Sequence, residues 1–107
     1  MIRKAKQLIF TGDMIGADEA HRIGLVDEVC PPEELMDTAM KMAGKIAAKG
    51  PIAMRAAKGL INRGLDVNLS AGCDMEKMTF GTILATKDSK EGLNAFSEKR
   101  KPEFKGE

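Results

Sequence analysis

The residues best suited to hold a ligand lie near the end of the chain. Phe96 precedes Lys99 by about one helical turn, and Lys99 opens a basic cluster with Arg100, Lys101 and Lys105. An aromatic ring beside an ammonium suits a nucleotide, because the ring stacks on a base while the cation meets a phosphate. The same cations also suit a solvated helix C-terminus, where positive charge complements the helix dipole. The residues alone leave both readings open.

Elsewhere the chemistry thins out. His21 is the one histidine, so neither a His-rich metal site nor a catalytic triad can be assembled with a choice of bases. It reads as a surface residue of a short helix. Cys30 and Cys73 are not spaced as CxxC and have no histidine cluster beside them. They read as two small buried or half-buried thiols of a reducing compartment, with a disulfide left open. The glycines form no phosphate-cradling loop. Asp27-Glu28 and Glu33-Glu34 are sequence neighbours, so they diverge on extended chain or serve a helix start rather than acting as a placed acid and base. We assign no catalytic residue and no metal ligand.

The elements that would position these residues are mostly helical. Ile2, Ala5, Leu8 and Ile9 recur at helical spacing over 2–10, and Gly12 stands where such a helix would stop. A second short helix fits 17–23, with Asp18 and Glu19 in its first turn and Gly24 after it. Residues 25–30 read as a brief strand or an extended link, closed by Pro31 and Pro32. The spacing predicts helices over 32–49, 52–63 and 69–85, punctuated by Gly50-Pro51 and Gly64. The apolar arc of the third, Leu69, Cys73, Phe80, Ile83 and Leu84 with Met75 and Met78 to one side, is wide enough to face two neighbours. Asp88-Ser89-Lys90-Glu91 fits a capping box that opens a last helix to about Lys99, with Leu93 and Phe96 inward. Pro102 and Gly106 then belong to a tail.

Composition bounds what such helices can do by themselves. The chain has 107 residues, eight of them Met and eleven Gly, with four Phe and no Trp or Tyr. A length of this order suggests one domain, but small chains bury a modest share of their surface, and an Ala- and Met-rich one has little bulk for a private core. The apolar faces are therefore expected to be completed from outside the chain. Seventeen Lys and Arg oppose sixteen Asp and Glu, a balance that gathers neither nucleic acid nor anionic membrane. No apolar stretch is long enough to span a bilayer, and the N-terminus does not read as a secretory signal.

One string of short motifs, in fixed order, gives a family resemblance. It begins Leu8-Ile9-Phe10-Thr11-Gly12, Ala17-Asp18-Glu19-Ala20 and Gly24-Leu25-Val26-Asp27. It continues through Val29-Cys30-Pro31-Pro32-Glu33-Glu34-Leu35 and Gly50-Pro51. It ends with Ala85-Thr86-Lys87-Asp88, Lys90-Glu91-Gly92, Ala95-Phe96, Glu98-Lys99-Arg100-Lys101-Pro102 and Phe104. Together these resemble the C-terminal segment of the crotonase superfamily, the enoyl-CoA hydratase/isomerase family, and most of all its short-chain enoyl-CoA hydratases.

The resemblance implies a mostly α structure: the C-terminal helical, trimerising region of the ClpP/crotonase-like fold, with at most a short strand near 25–30. On this view residues 1–107 form a single C-terminal region, and the N-terminal spiral of ββα units is absent. Hydratases of the family hydrate a trans-2-enoyl-CoA to a 3-hydroxyacyl-CoA. Two glutamates handle the water and two backbone N–H groups polarise the thioester. All four groups precede the motif that opens this chain, so no catalytic residue is carried over and the chain alone is expected to be inactive. What is carried over is a contact to coenzyme A: Phe80 near the coenzyme A or acyl pocket, Phe96 and Lys99 near the adenine end. For Phe80 core packing remains an equal alternative. Coenzyme A enters as part of the substrate, no separate cofactor is implied, and the partners are acyl-CoA and further copies in a trimer or hexamer. The implied location is the cytoplasm, or the mitochondrial matrix in a eukaryote. A different class of function, a stand-alone helical module that associates with itself or with a full-length relative, accounts for the same apolar faces.

Overall fold

The structure, a computed structural model, describes residues 2–107. Among these, six α-helices follow one another: α1 (Ile2–Thr11), α2 (Ala17–Arg22), α3 (Leu35–Ala47), α4 (Pro51–Gly64), α5 (Leu69–Leu84) and α6 (Lys87–Ser97). There is no strand among the described residues. Residues 25–27 bend and 28–30 are irregular, so the expected strand is not found there. No helix among the described residues is long and apolar enough to cross a membrane. The chain divides into two compact units, one ending at Met40 and the other Lys41–Glu107.

In the first unit the glycines act where the spacing placed them. Gly12 ends α1 at φ 68°, its N–H donating to the Leu8 carbonyl at 3.0 Å. Gly24 follows α2 at φ 71°, a left-handed backbone that glycine reaches without a Cβ clash. Glu19 joins the two helices, accepting from Nε and Nη2 of Arg22 at 2.6 and 2.7 Å and lying 3.5 Å from the Lys4 ammonium. The expected helix over 32–49 instead starts with a 3₁₀ turn, Pro32–Glu34, before α3. Proline has no N–H for an α-helical bond, and the Glu34 N–H reaches the Pro31 carbonyl three residues back.

In the second unit Gly50 precedes α4 and Pro51 occupies its first turn, where the missing N–H costs nothing. Asn68 caps α5, its Oδ1 accepting the Ala71 N–H at 2.9 Å. Helix α5 touches both α4 and α6, as its wide apolar arc predicts. The cap of α6 differs from expectation. Thr86, not Asp88, is the N-cap, with Oγ1 accepting the Ser89 N–H at 3.1 Å. Asp88 is drawn elsewhere, to a partner far along the sequence.

That partner is the end of the chain, which is no loose tail. Asp88 is 7% exposed, and its two carboxylate oxygens accept the Lys105 N–H at 2.7 Å and the Gly106 N–H at 2.8 Å. Its own N–H donates to the Glu107 carbonyl at 3.0 Å, and the Lys87 ammonium meets the Glu107 carboxylate at 2.8 Å. Phe104 lies over two glycines: a Cβ at Gly92 would sit 3.5 Å from its ring, and one at Gly50 3.7 Å. Residues 101–107 thus form a strap along the face of α6 that carries Asp88, Glu91, Gly92 and Ala95. Ala95, 1% exposed, is the most buried apolar residue described.

Leu93 and Phe96, expected inward, lie on another face of α6 and are exposed. They are not exceptional. Ala20 and Ala95 are the only buried hydrophobic residues described, whereas Ile9, Phe10, Met36, Met40, Ile61 and Leu69 are all exposed. The poverty of private core anticipated from composition is observed. Cys30 is half-buried as expected; Cys73 is exposed instead, and both thiols are free.

Candidate functional site

Two places in the second unit concern the residues singled out above. The first is a groove of about 410 Å³ between α4 and α5. Ala53, Ala57 and Leu60 form the α4 wall, while Thr79, Phe80 and Ile83 form the α5 wall. These positions follow from helical periodicity, since 53, 57 and 60 share one stripe and 79, 80 and 83 another. Alanines on α4 let the two helices approach without filling the space between them. Glu76 and Lys77 stand at the rim, and Lys77 pairs with Asp74 at 3.1 Å. Phe80 is 63% exposed, so it serves as a wall rather than as core. An apolar slot of this size with few polar groups suits a chain of methylenes or an apolar ring better than a charged group.

The second place is the C-terminal end of α6. Phe96 is 83% exposed and Lys99 is exposed. The two are not on one helix face, because α6 stops at Ser97 and Lys99 has φ 55°. The backbone turns over there: the Lys99 N–H donates to the Phe96 carbonyl at 3.2 Å and the Arg100 N–H to the Ala95 carbonyl at 3.0 Å. This pair of bonds is the Schellman closure that usually takes glycine at its left-handed position. Lys99 and Phe96 therefore remain neighbours through the turn rather than through helical spacing. Neither lines the α4/α5 groove. The structure thus leaves Phe80 at one place and the Phe96–Lys99 pair at another.

The basic cluster is also divided. Arg100 is not available as a phosphate ligand in the way Lys99 is. Its Nε donates to Glu98 at 2.6 Å, and its Nη1 and Nη2 donate to the two oxygens of Glu91 at 2.6 and 2.9 Å. Glu91 also accepts the Glu103 N–H at 2.8 Å. The Arg100 guanidinium first, and the Glu103 N–H second, hold the Glu91 carboxyl at about 2 instead of its ordinary 4.5. Glu91 first, and Glu98 second, in turn push Arg100 above its ordinary value. Sequence reading missed this fork because Glu91 was read as the last member of a capping box and as part of a family motif, neither of which points to Arg100.

A pH dependence follows. A carboxyl whose value is depressed in the folded chain contributes stability that is complete above the unfolded value, here 4.5, and lost as pH falls through about 2. The strap should remain bound to Glu91 at pH 4 and lose this tie only near pH 2. The carboxyl ¹³C shift of Glu91 followed by NMR measures it directly. A midpoint near the ordinary glutamate value would show that the fork does not persist in solution.

Comparison with known proteins places these features in a lineage. The profile of the family described as enoyl-CoA hydratase/isomerase matches residues 2–107. A crotonyl-CoA hydratase of Syntrophomonas wolfei is 48% identical over 100 residues, covering 94% of this chain and 38% of that protein. A short-chain-enoyl-CoA hydratase of Clostridium acetobutylicum is 48% identical over 99 residues, covering 92% and 38%. Among solved structures, the enoyl-CoA hydratase of Bacillus anthracis superposes with a TM-score of 0.94 at 49% identity, covering 97% of this chain and 40% of that one. The chain therefore spans about two fifths of the length of these relatives.

Proposed function

The chain belongs to the enoyl-CoA hydratase/isomerase family, and from that premise we propose that it is the C-terminal helical region of an enoyl-CoA hydratase. The whole enzyme would add water to a trans-2-enoyl-CoA and give a 3-hydroxyacyl-CoA. In this reading the ββα core, with its water-handling glutamates and oxyanion-hole amides, is supplied outside these residues. The chain contributes subunit contacts in a trimer or hexamer and one rim of the coenzyme A site. The acyl or pantetheine portion lies against Phe80 in the α4/α5 groove, the adenine stacks on Phe96, and the Lys99 ammonium meets a phosphate.

One observation carries the reading: near-half identity runs along almost the whole chain, yet reaches only 40% of the Bacillus anthracis hydratase. The exposed apolar faces agree with it, since helices that pack on a larger body leave their contact faces bare when taken alone. A self-associating helical module is the alternative, favoured by the exposed Met36, Met40, Met42 and Ile46 of α3.

The purified chain, free of any longer homologue, should hydrate crotonyl-CoA no faster than buffer does, as followed by loss of the enoyl thioester absorbance. Turnover well above that rate would overturn the assignment of the chemistry to residues outside the chain. Sedimentation at micromolar concentration provides a second reading. Association is expected, and a stable, well-folded monomer would count against both partner-dependent readings.

A further inference from the structure

Among the described residues, three helices end on a left-handed residue. Two use glycine, Gly12 and Gly24; the third, α6, uses Lys99. The closures after α2 and α6 are alike bond for bond. At α2 the Gly24 N–H meets the His21 carbonyl at 2.9 Å and the Leu25 N–H meets the Ala20 carbonyl at 2.8 Å. At α6 Lys99 and Arg100 repeat the pattern onto Phe96 and Ala95. A lysine there meets the Cβ clash that glycine avoids. What it supplies in return is an exposed ammonium at the turn.

The surroundings of Lys99 offset that strain. Arg100 ties its own side chain to Glu98 on one side of Lys99 and to Glu91 about two helical turns earlier, and its Nη1 also reaches the Lys101 carbonyl at 3.2 Å. Residues 98, 100 and 101 are thereby bound together around the one residue between them. A guanidinium does this better than an ammonium, because its planar fork satisfies several acceptors at fixed angles. The arrangement uses four of the donor contacts of Arg100 within the chain, and two carboxylates neutralise its charge. Lys99, by contrast, is exposed and makes no ion pair among the described residues.

We propose that Arg100 is a positioning residue: by bridging Glu91 and Glu98 it holds Lys99 in the left-handed conformation and so fixes the direction in which the Lys99 ammonium leaves the end of α6. The ligand group it serves is the phosphate of a nucleotide whose base lies on Phe96. This rests on the coenzyme A placement proposed above and adds to it the device that aims the cation. An ammonium on a four-carbon stem leaving an unconstrained backbone would sample many directions; a fixed backbone removes part of that freedom before the ligand arrives.

Two measurements on the full chain test the device and its use separately. The first is amide hydrogen exchange at Lys99 and Arg100, whose N–H groups close the turn. Arg100→Gln should speed their exchange about tenfold or more, whereas in a Lys99→Gly background the same substitution should change it little, because glycine holds the turn unaided. Equal acceleration in both backgrounds overturns the positioning role. The second is titration with coenzyme A, followed by amide shifts. Lys99→Ala should weaken binding about tenfold and Arg100→Gln about threefold, with no further loss when both are combined. Additive losses overturn the claim that Arg100 acts through Lys99. No effect of Lys99→Ala overturns the coenzyme A placement and the ligand half of this proposal together, while the exchange result still decides the clamp. Where Arg100→Gln does not fold, Glu98→Gln at the exposed end of the fork replaces it, with smaller changes expected in the same directions and the same additivity overturning the proposal.

Discussion

Asp88→Ala should lower the stability of the Lys41–Glu107 unit by about 2 kcal/mol, the scale of hydrogen bonds made to a charged group. The substitution removes the acceptor of two N–H groups, those of Lys105 and Gly106, at a site that is 7% exposed. Those amides can turn to water, so the loss stays below the full penalty of two orphaned buried donors. Asp88→Asn keeps one carbonyl oxygen and should cost about half as much, because one acceptor serves only one of the two donors well. Denaturant unfolding followed by circular dichroism reads the difference. Exchange at the Lys105 and Gly106 amides should rise in parallel. A change under about 0.5 kcal/mol would place Asp88 among ordinary surface carboxylates and remove it from the strap.

Phe104→Ala should cost a similar amount, about 2 kcal/mol. Removing a fully buried Phe costs roughly 3–5 kcal/mol, and Phe104 is half-buried. Its ring covers Gly50 at the start of α4 and Gly92 on α6, and borders Ile52, Ala53 and Ile83. Without it the small space of about 210 Å³ at that junction opens to water. Because Asp88 and Phe104 fasten the same seven-residue segment, the double variant should lose clearly less than the two single losses added. The first break already frees the segment. Strict additivity in a double-mutant cycle would mean that 101–107 is not a single fastened strap.

Local signals in the sequence were enough for most helix limits, and the reason is that they act locally. Gly12 and Gly24 end helices and Pro51 begins one through their own φ preferences, which need no distant partner. Thr86 and Asp88 show where this stops working. Both are good capping residues two positions apart, and the choice between them is made by Lys105 and Gly106, more than sixteen residues on. Propensity cannot see that competition. The inward face of α6 failed for a related reason. Leu93 and Phe96 are the large apolar residues, so they claimed the core, but the face that is covered carries Asp88, Gly92 and Ala95. Small residues at helical spacing, with Phe104 downstream to lie on them, were the available sign.

Of the candidate site residues, Phe80 was legible as a wall or as core, and its exposure in the α4/α5 groove favours the wall. Phe96 and Lys99 were legible as a pair, though for the wrong geometrical reason. A lysine gives no warning that it will take a left-handed backbone, and the fork of Arg100 onto Glu91 and Glu98 emerges only when the turn is formed. Asp88, Glu91, Gly92, Ala95, Arg100 and Phe104 all fall within the string that carried the family resemblance. The closing part of that string is the strap and its seat.

The bare apolar faces have a thermodynamic consequence. Unfolding ordinarily raises heat capacity by about 12–15 cal/mol/K per residue, because apolar groups become hydrated. Here most large apolar side chains are already in water, and only Ala20 and Ala95 are buried among the described hydrophobic residues. The isolated, dissociated chain should therefore melt over a broad range with a small calorimetric step and a shallow urea slope, and both should grow when its partner surface is present.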